Sequence, residues 1–423
     1  MQTISDLPNT AKSAFFKFLP FWIFLIFFKF GGGLHYSLIS PLGEKLLPLW
    51  IVGILMGGGS IVQFLLDVPA GRMLDRYGYR KLLTLTTAIF LIAAVCFMFG
   101  LTRTTYIISL ITSTFGWLFF GPGVNAYILS LAPREGAGKF MSFRDIFSSV
   151  GIVLSSAALP FTLLLAPAAM GYVLFALLAV ALVTIFLSPK DHVYVHLEKK
   201  IPTHHHYIRR SSIVTTLKAM KRLNPASGML LLEGMAGGIF YGAIWFVVPL
   251  VIEHQANSGL LSLGLGIFDF SIVVLGFLLG NLADKANKRS LVFVGLLLFS
   301  VSGMIIGFSF SWLFLLFGFL ATAGDEMAAV SLWSWLHALD HEHDNDGAVS
   351  GVINLFQDFG WAIGPIAAGF LYESIGPSLT ITLGALPIII TWAVYYLSLK
   401  RRHISAFGPE PVPQKPHRPR HRT

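Results

Sequence analysis

The sequence predicts an all-α polytopic membrane protein with twelve transmembrane helices in two pseudo-symmetric six-helix bundles. Three observations predict it. Of the 423 residues, 55% are hydrophobic and only 12% charged, against about 45–50% and about 25% in soluble domains. Apolar runs of roughly 20 residues recur from end to end, the length that crosses about 30 Å of hydrocarbon at 1.5 Å per residue. One short charged segment also occurs twice, 209 residues apart.

The elements follow in order. Residues 1–17 form a polar segment ahead of the first apolar run, which spans about 18–40. That run is too long for the core of a signal peptide and has no small-residue cleavage site after it, so it is expected to stay as the first helix. Runs at about 46–70, 82–102, 105–130, 145–166 and 169–188 complete a first bundle over residues 18–188. Residues 189–225 are polar and basic and read as a linker, in which TTLKAMKRL has the pattern of an amphipathic helix on the membrane surface. Runs at about 226–253, 258–280, 290–308, 311–337, 348–372 and 377–399 make a second bundle over residues 226–399. The tail, residues 400–423, is rich in Pro and Arg and is expected to be disordered.

Charge sets the orientation. With the N-terminus inside, the loops on the outer face hold only Lys45 and Arg103, and nearly every other Lys and Arg falls on the inner face. This is the positive-inside pattern, so both termini are expected in the cytoplasm and the protein in the cell (inner or plasma) membrane. The net charge of +9 then reflects insertion and contact with anionic lipid of the bilayer, not nucleic-acid binding. The single cysteine, Cys96, excludes a disulfide within the chain. No phosphate-binding loop and no convincing metal-ligand cluster occurs, so no cofactor, metal site or enzymatic activity is expected. The chain is expected to act as a monomer.

The segment GRMLDRYGYRK at residues 71–81 lies between the second and third apolar runs, and GNLADKANKR at residues 280–289 lies between the eighth and ninth. Gly71 matches Gly280, Asp75 matches Asp284, Arg76 matches Lys285 and Arg80 matches Arg289, while Asn287 stands for Gly78 and Lys81 extends the first copy. Asn tolerates a left-handed backbone better than other residues with a side chain, so both copies are read as tight turns. The same offset pairs Gly138 with Gly347, Ser142 with Gly351, Asp145 with Asn354 and Gly151 with Gly360; a looser echo, GGLHYS to GGIFYG, runs at 205. Such internal repeats mark secondary transporters.

The doubled GxxxDRxGxRK segment resembles the signature loop of the major facilitator superfamily, and the resemblance covers about residues 18–400. It implies two bundles that rock about a central site. It also implies that Asp75 meets the start of the eleventh helix, near residues 347–352, and by symmetry that Asp284 meets the fifth near Met141–Ser142. The free N–H groups of a helix start welcome an anion, so these contacts would form a cytoplasmic gate; the alternative is a segment that only fixes topology.

Ionisable groups within membrane helices are costly and mark a pathway or a paired site. Here they are Lys29 in the first helix, Glu233 in the seventh, Asp269 in the eighth, Asp325 and Glu326 in the tenth and Asp358 in the eleventh. In the resembling family these helices line or flank the cavity. Asn354 shares a face with Asp358, Ser60 and Gln63 share one with Asp67, and Trp117, Asn125, Tyr127, Tyr241 and Trp245 are candidates to pack on an organic solute. Burial penalises the charged form of a carboxylate, which suits a group that exchanges protons. Asp325 or Glu326 is the first candidate for a coupling proton, and Asp269 or Asp358 the next. Lys29 and Glu233 can alternatively form a structural ion pair.

The expected function is therefore secondary active transport of a small organic solute by alternating access, coupled to protons. One alternative is a proton-antiporting efflux pump for amphipathic compounds. Proton-driven drug exporters of the family commonly carry an acid where this chain has Lys29, and a Gly-Pro pair in a fifth helix that here reads GIVLSSAALP. The other alternative is a scaffold or sensor that keeps only the fold.

Overall fold

Apolar sequence of these lengths satisfies its backbone inside a bilayer as helix, and every regular element among the described residues is an α-helix. The structure, a computed structural model, describes residues 15–131, 137–190, 225–254, 259–308, 310–339 and 346–401. The first part holds α1 (Leu19–Glu44), α2 (Leu49–Tyr77), α3 (Tyr79–Met98), α4 (Arg103–Leu118), α5 (Phe120–Leu131), α6 (Ala137–Leu163) and α7 (Pro167–Leu187). The second holds α8 (Pro225–His254), α9 (Gly259–Lys285), α10 (Lys288–Ile306), α11 (Trp312–Leu339) and α12 (Asp346–Arg401). The linker and the tail lie outside the described residues.

Ten helical stretches are long and apolar enough to cross a membrane. Arg103–Ile128, formed by α4 and α5, is one of them, and Leu355–Arg401, at 47 residues, is another. The latter is too long for one crossing and breaks at Gly376 (φ 79°, ψ 171°), followed by Pro377. Glycine enters that backbone region freely, and proline cannot continue the hydrogen-bond ladder. The two limbs of α12 lie where the eleventh and twelfth crossings are expected, and α9, whose apolar segment is the shorter Leu263–Gly276, lies where the eighth is expected.

Packing repeats between the halves. In the first, α1 lies on α6 and α7, and α3 on α4 and α7; in the second, α8 lies on the two limbs of α12, and α10 on α11 and α12. The correspondence reaches single atoms. A Cβ on Gly151 would lie 2.5 Å from Ile26 O, 2.7 Å from Lys29 Cβ and 3.1 Å from Phe30 N. A Cβ on Gly360 would lie 2.3 Å from Met235 O, 3.0 Å from Gly238 Cα and 3.0 Å from Ile239 N. Each pair differs by 209, so α1 and α8 superpose in the repeat at that offset, and the 205 echo is not a structural equivalence.

The halves meet where α2 packs on α12, α6 on α9 and α1 on α8. The α2–α12 seam is tight at one end: a Cβ on Gly53 would fall 2.4 Å from Pro365 O, and one on Gly57 would fall 2.3 Å from Ala362 O. Polar ties close the same end. Lys45 Nζ lies 2.6 Å from Glu253 Oε1, His254 Nε2 lies 3.0 Å from Glu44 Oε2, and Leu49 N donates to Glu373 Oε1 at 3.1 Å. At the opposite end, among the described residues, a Cβ on Gly71 or Gly276 would meet no atom of another helix within 4 Å.

Two expectations about the repeated segment need correction. It is not a loop: α2 runs to Tyr77 and α9 to Lys285, so the charged residues mostly ride on helix ends. Gly78 does adopt the positive φ (93°), but Asn287 is extended (φ −65°, ψ 112°) and caps α10, its side chain accepting from Arg289 N at 3.0 Å. Asparagine at that position serves as an N-cap, which removes the need for a left-handed turn.

Candidate functional site

The ammonium of Lys29 has a built surround. Phe28 and Phe120 stack with centroids 4.3 Å apart, and Trp117 stands edge-on to Phe28 at 5.2 Å and to Phe120 at 5.4 Å. Over this aromatic block sits Lys29 Nζ, 4.8 Å from the Trp117 centroid and 4.9 Å from that of Phe120. Gly151 lets α6 press on the lysine stem. Among the described residues no carboxylate lies within 4.0 Å of Nζ. The alternative Lys29–Glu233 ion pair is therefore not formed; the charges that act on Lys29 are Asp269 of α9 and Arg144 and Asp145 of α6. Glu233 lies elsewhere because α8 matches α1 through Gly238, not Glu233.

The C-terminal half supplies the acids. Tyr241 Oη donates to Asp325 Oδ2 at 2.9 Å, and Asp325 Oδ1 is buried without a hydrogen bond. The carboxyl of the buried Glu233 stands beside Asp325, so α8 and α11 present two carboxyls and a phenol at one point. Glu326, the next residue, feels the charge of Asp325 and, across the space between the halves, that of Asp145. Asp269 accepts from Ser149 of α6 at 3.1 Å. Charges from both halves thus converge on the space between them: Lys29 with Asp269, Asp145 with Glu326.

Asp358 is not in this group. It faces Asp67 of α2 across the second seam, carboxyl to carboxyl. Gln63, one turn before Asp67, donates instead to Thr114 O at 3.3 Å. Asn125 accepts from Arg144 Nη1, and Trp245 meets Tyr36 of α1 edge-on at 5.8 Å. Tyr127 is excluded from solute contact: it is fully buried in the core of the first half and donates to Pro189 O at 2.5 Å.

Of the repeated segment, Arg80 Nη1 donates to Ser188 O at 2.8 Å and lies over Phe186, binding the C-terminal end of α7. A cation there completes open carbonyls and opposes the helix dipole. Arg289 is the repeat partner: it is buried, lies over Trp335 and accepts on its carbonyl from Tyr395 Oη at 3.2 Å. Arg76 and Lys81 are exposed. The side chains of Asp75, Asp284, Lys285 and Asn354 and the backbone neighbourhood of Gly280 lie outside the described residues, as does the acidic 340–345 segment.

Sequence reasoning missed Arg144, Asp145 and Ser149 as site residues. Arg144 counts as a loop cation when hydropathy is read alone, yet it lies in α6, bonded to Asp145 and Asn125. The only available signal was the 209-residue offset, which pairs Asp145 with Asn354.

Comparison with known proteins gives one answer. The family model described as the Major Facilitator Superfamily matches residues 13–361 and 230–422. Multidrug resistance protein 2 of Bacillus subtilis is 23% identical over 331 residues, 76% of this chain and 80% of that protein. The quinolone resistance protein NorA of Staphylococcus aureus is 33% identical over 144 residues, 32% of this chain and 36% of that one. Among solved structures, a bacterial homologue of the human lysosomal transporter Spinster matches with a TM-score of 0.70 at 13% identity, covering 93% of this chain and 97% of that one.

Proposed function

This chain belongs to the major facilitator superfamily, and from that premise we propose that it moves a small organic solute across the membrane by alternating access, coupled to protons. It is a multi-pass membrane transporter by family, and not an enzyme. The observation that carries the finer reading is the convergence of Lys29, Asp145, Asp269 and Glu326 between halves whose seam is tied at one end.

In this reading the halves are the bundles 18–188 and 226–399, joined by the 189–225 linker, and the chain works as a monomer in the cell membrane. The positive-inside pattern puts both termini in the cytoplasm, which makes the tied end extracellular and the present state closed to the outside. The Glu233–Asp325–Tyr241 cluster and Glu326 of the second half hold the coupling proton. A buried carboxylate without a full set of donors is penalised, and Asp325 Oδ1 lacks one.

The second reading, proton-driven export of amphipathic compounds, is favoured by the multidrug and quinolone resistance relatives. Accumulation of labelled solutes in proteoliposomes, with and without an imposed pH gradient of either sign, tests both. Import driven by an outward-acidic gradient supports symport, and expulsion under it supports antiport. Flux indifferent to the gradient removes proton coupling.

A further inference from the structure

We propose that the solute is an organic anion, a carboxylate, sulfonate or phosphate on an aromatic or otherwise apolar body, whose head seats on Lys29 and whose body runs along α1 toward Tyr36. The inference rests on reading the space between the halves as the solute site, and names the solute class for it.

The first observation is an incomplete cation. An ammonium carries three donors, and among the described residues Lys29 has neither a carboxylate within 4.0 Å nor a hydrogen-bond acceptor, only two ring faces. Ring faces compensate a cation partly, while a charge at mid-membrane remains costly until paired. Asp269, the carboxylate of the facing half that acts on Lys29, is engaged by Ser149. Lys29 also keeps part of its surface accessible, so it is not sealed in the core. An oxyanion arriving from the space between the halves would complete it.

The second observation is independent. Tyr36 follows Lys29 by seven residues, two helical turns and so about 10 Å farther on the same face of α1. Its hydroxyl is buried and, among the described residues, has no hydrogen-bond partner. Its ring meets Trp245 of α8 at 5.8 Å and Trp361 of α12 at 6.3 Å, both from the opposite half. The face of α1 between these residues therefore runs from an unpaired cation to an unpaired hydroxyl set among aromatic rings. That arrangement fits a solute about 10 Å long with an anionic head, an apolar body and a polar far end. Asp269 and Glu326 repel such an anion while ionised, so their protonation and anion entry favour each other, which is the linkage a proton–anion symporter needs; Arg144, bonded to Asp145, adds a cation beside them.

The test uses three probes of one shape: 4-phenylbutyrate, 4-phenylbutyramide and 4-phenylbutylamine. Their binding to the purified full-length protein in nanodiscs is measured by tryptophan fluorescence and by calorimetry. The carboxylate should bind tighter than the amide by about tenfold or more, the worth of one charge-assisted hydrogen bond, and the amine weakest. Lys29→Gln should level the carboxylate and the amide, and Lys29→Arg should keep most of the difference. Adding a para-hydroxyl to the carboxylate probe should tighten its binding, and Tyr36→Phe should remove that gain. The wild-type ranking stands as a test even if Lys29→Gln does not fold. Equal binding of the three, no binding, or preference for the amine overturns the anion inference. Flux of a preferred amine would at the same time uphold the transporter reading, so the two fail separately.

Discussion

Breaking the Lys45–Glu253 contact should open the tied end of the molecule. The pair joins the end of α1 to α8 at 2.6 Å, with side chains 49% and 18% exposed. A pair this exposed is screened, and contributes about 0.5–1 kcal/mol. It exists only while the two halves meet at this end, so its whole contribution bears on the equilibrium between the closed and open forms. Glu253→Gln should therefore raise the ratio of open to closed by about two- to fivefold, since 1.4 kcal/mol is a factor of ten. Adding Glu373→Ala removes the acceptor for Leu49 N, worth about 1 kcal/mol more. The assay is double electron–electron resonance between spin labels placed at Leu47 and Ser374 in nanodiscs. The single native cysteine, Cys96, is buried, so labelling is confined to the introduced sites. The long-distance population should grow with Glu253→Gln and further with the double change, and wild-type protein in high salt should move the same way. An unchanged distance distribution in the double variant would refute the reasoning.

Further predictions follow from close contacts and single hydrogen bonds. Gly57→Val should prevent closure of the α2–α12 seam, because a Cβ there would meet the Ala362 carbonyl at 2.3 Å; the same spin labels should report a predominantly open end. Asn287→Ala should lose the α10 cap at about 1 kcal/mol while Asn287→Gly costs only a few tenths, measured by thermal unfolding in detergent. Gly78→Ala should be destabilising by about 1–2 kcal/mol because φ is positive there. Arg144→Ala removes the partner of Asp145 and Asn125 and should lower the thermal midpoint, with Arg144→Lys restoring only part of it because a lysine cannot bridge both acceptors. Tyr241→Phe takes the phenol donor from Asp325 and should weaken, not abolish, any solute-driven proton movement.

Most of the fold was legible because lipid leaves a backbone so few choices. Twenty apolar residues between charged ends mean a helix, and the asymmetry of Lys and Arg gives a direction. The 209-residue repeat was legible from four glycine-centred pairs, and the Gly151 and Gly360 contacts show why glycine was kept: each receives the backbone of a neighbouring helix at the same place in its half. What misled was local chemistry read without its neighbours. Asn287 has the residue type for a left-handed turn and serves as a cap instead. The charged segment looked like a loop because charge breaks a hydropathy window, although it does not break a helix that has left the hydrocarbon. For the site, depth identified Lys29, Asp269 and Asp325, since a charge in the middle of an apolar run stands out. Arg144 and Asp145 lie near the start of their run and were hidden among loop charges, and no pattern in the sequence shows that Tyr241 meets Asp325 or that Asp67 meets Asp358.

The central claim is that solute and proton cross together through the acids of the second half. Solute-driven proton movement into proteoliposomes, read with an enclosed pH dye for the wild type, Asp325→Asn and Glu326→Gln, tests it most directly. The account predicts a pH change on adding solute to the wild type, and its loss in at least one variant that still binds that solute. Solute flux without a proton signal in the wild type, or an undiminished signal in both variants, would contradict it.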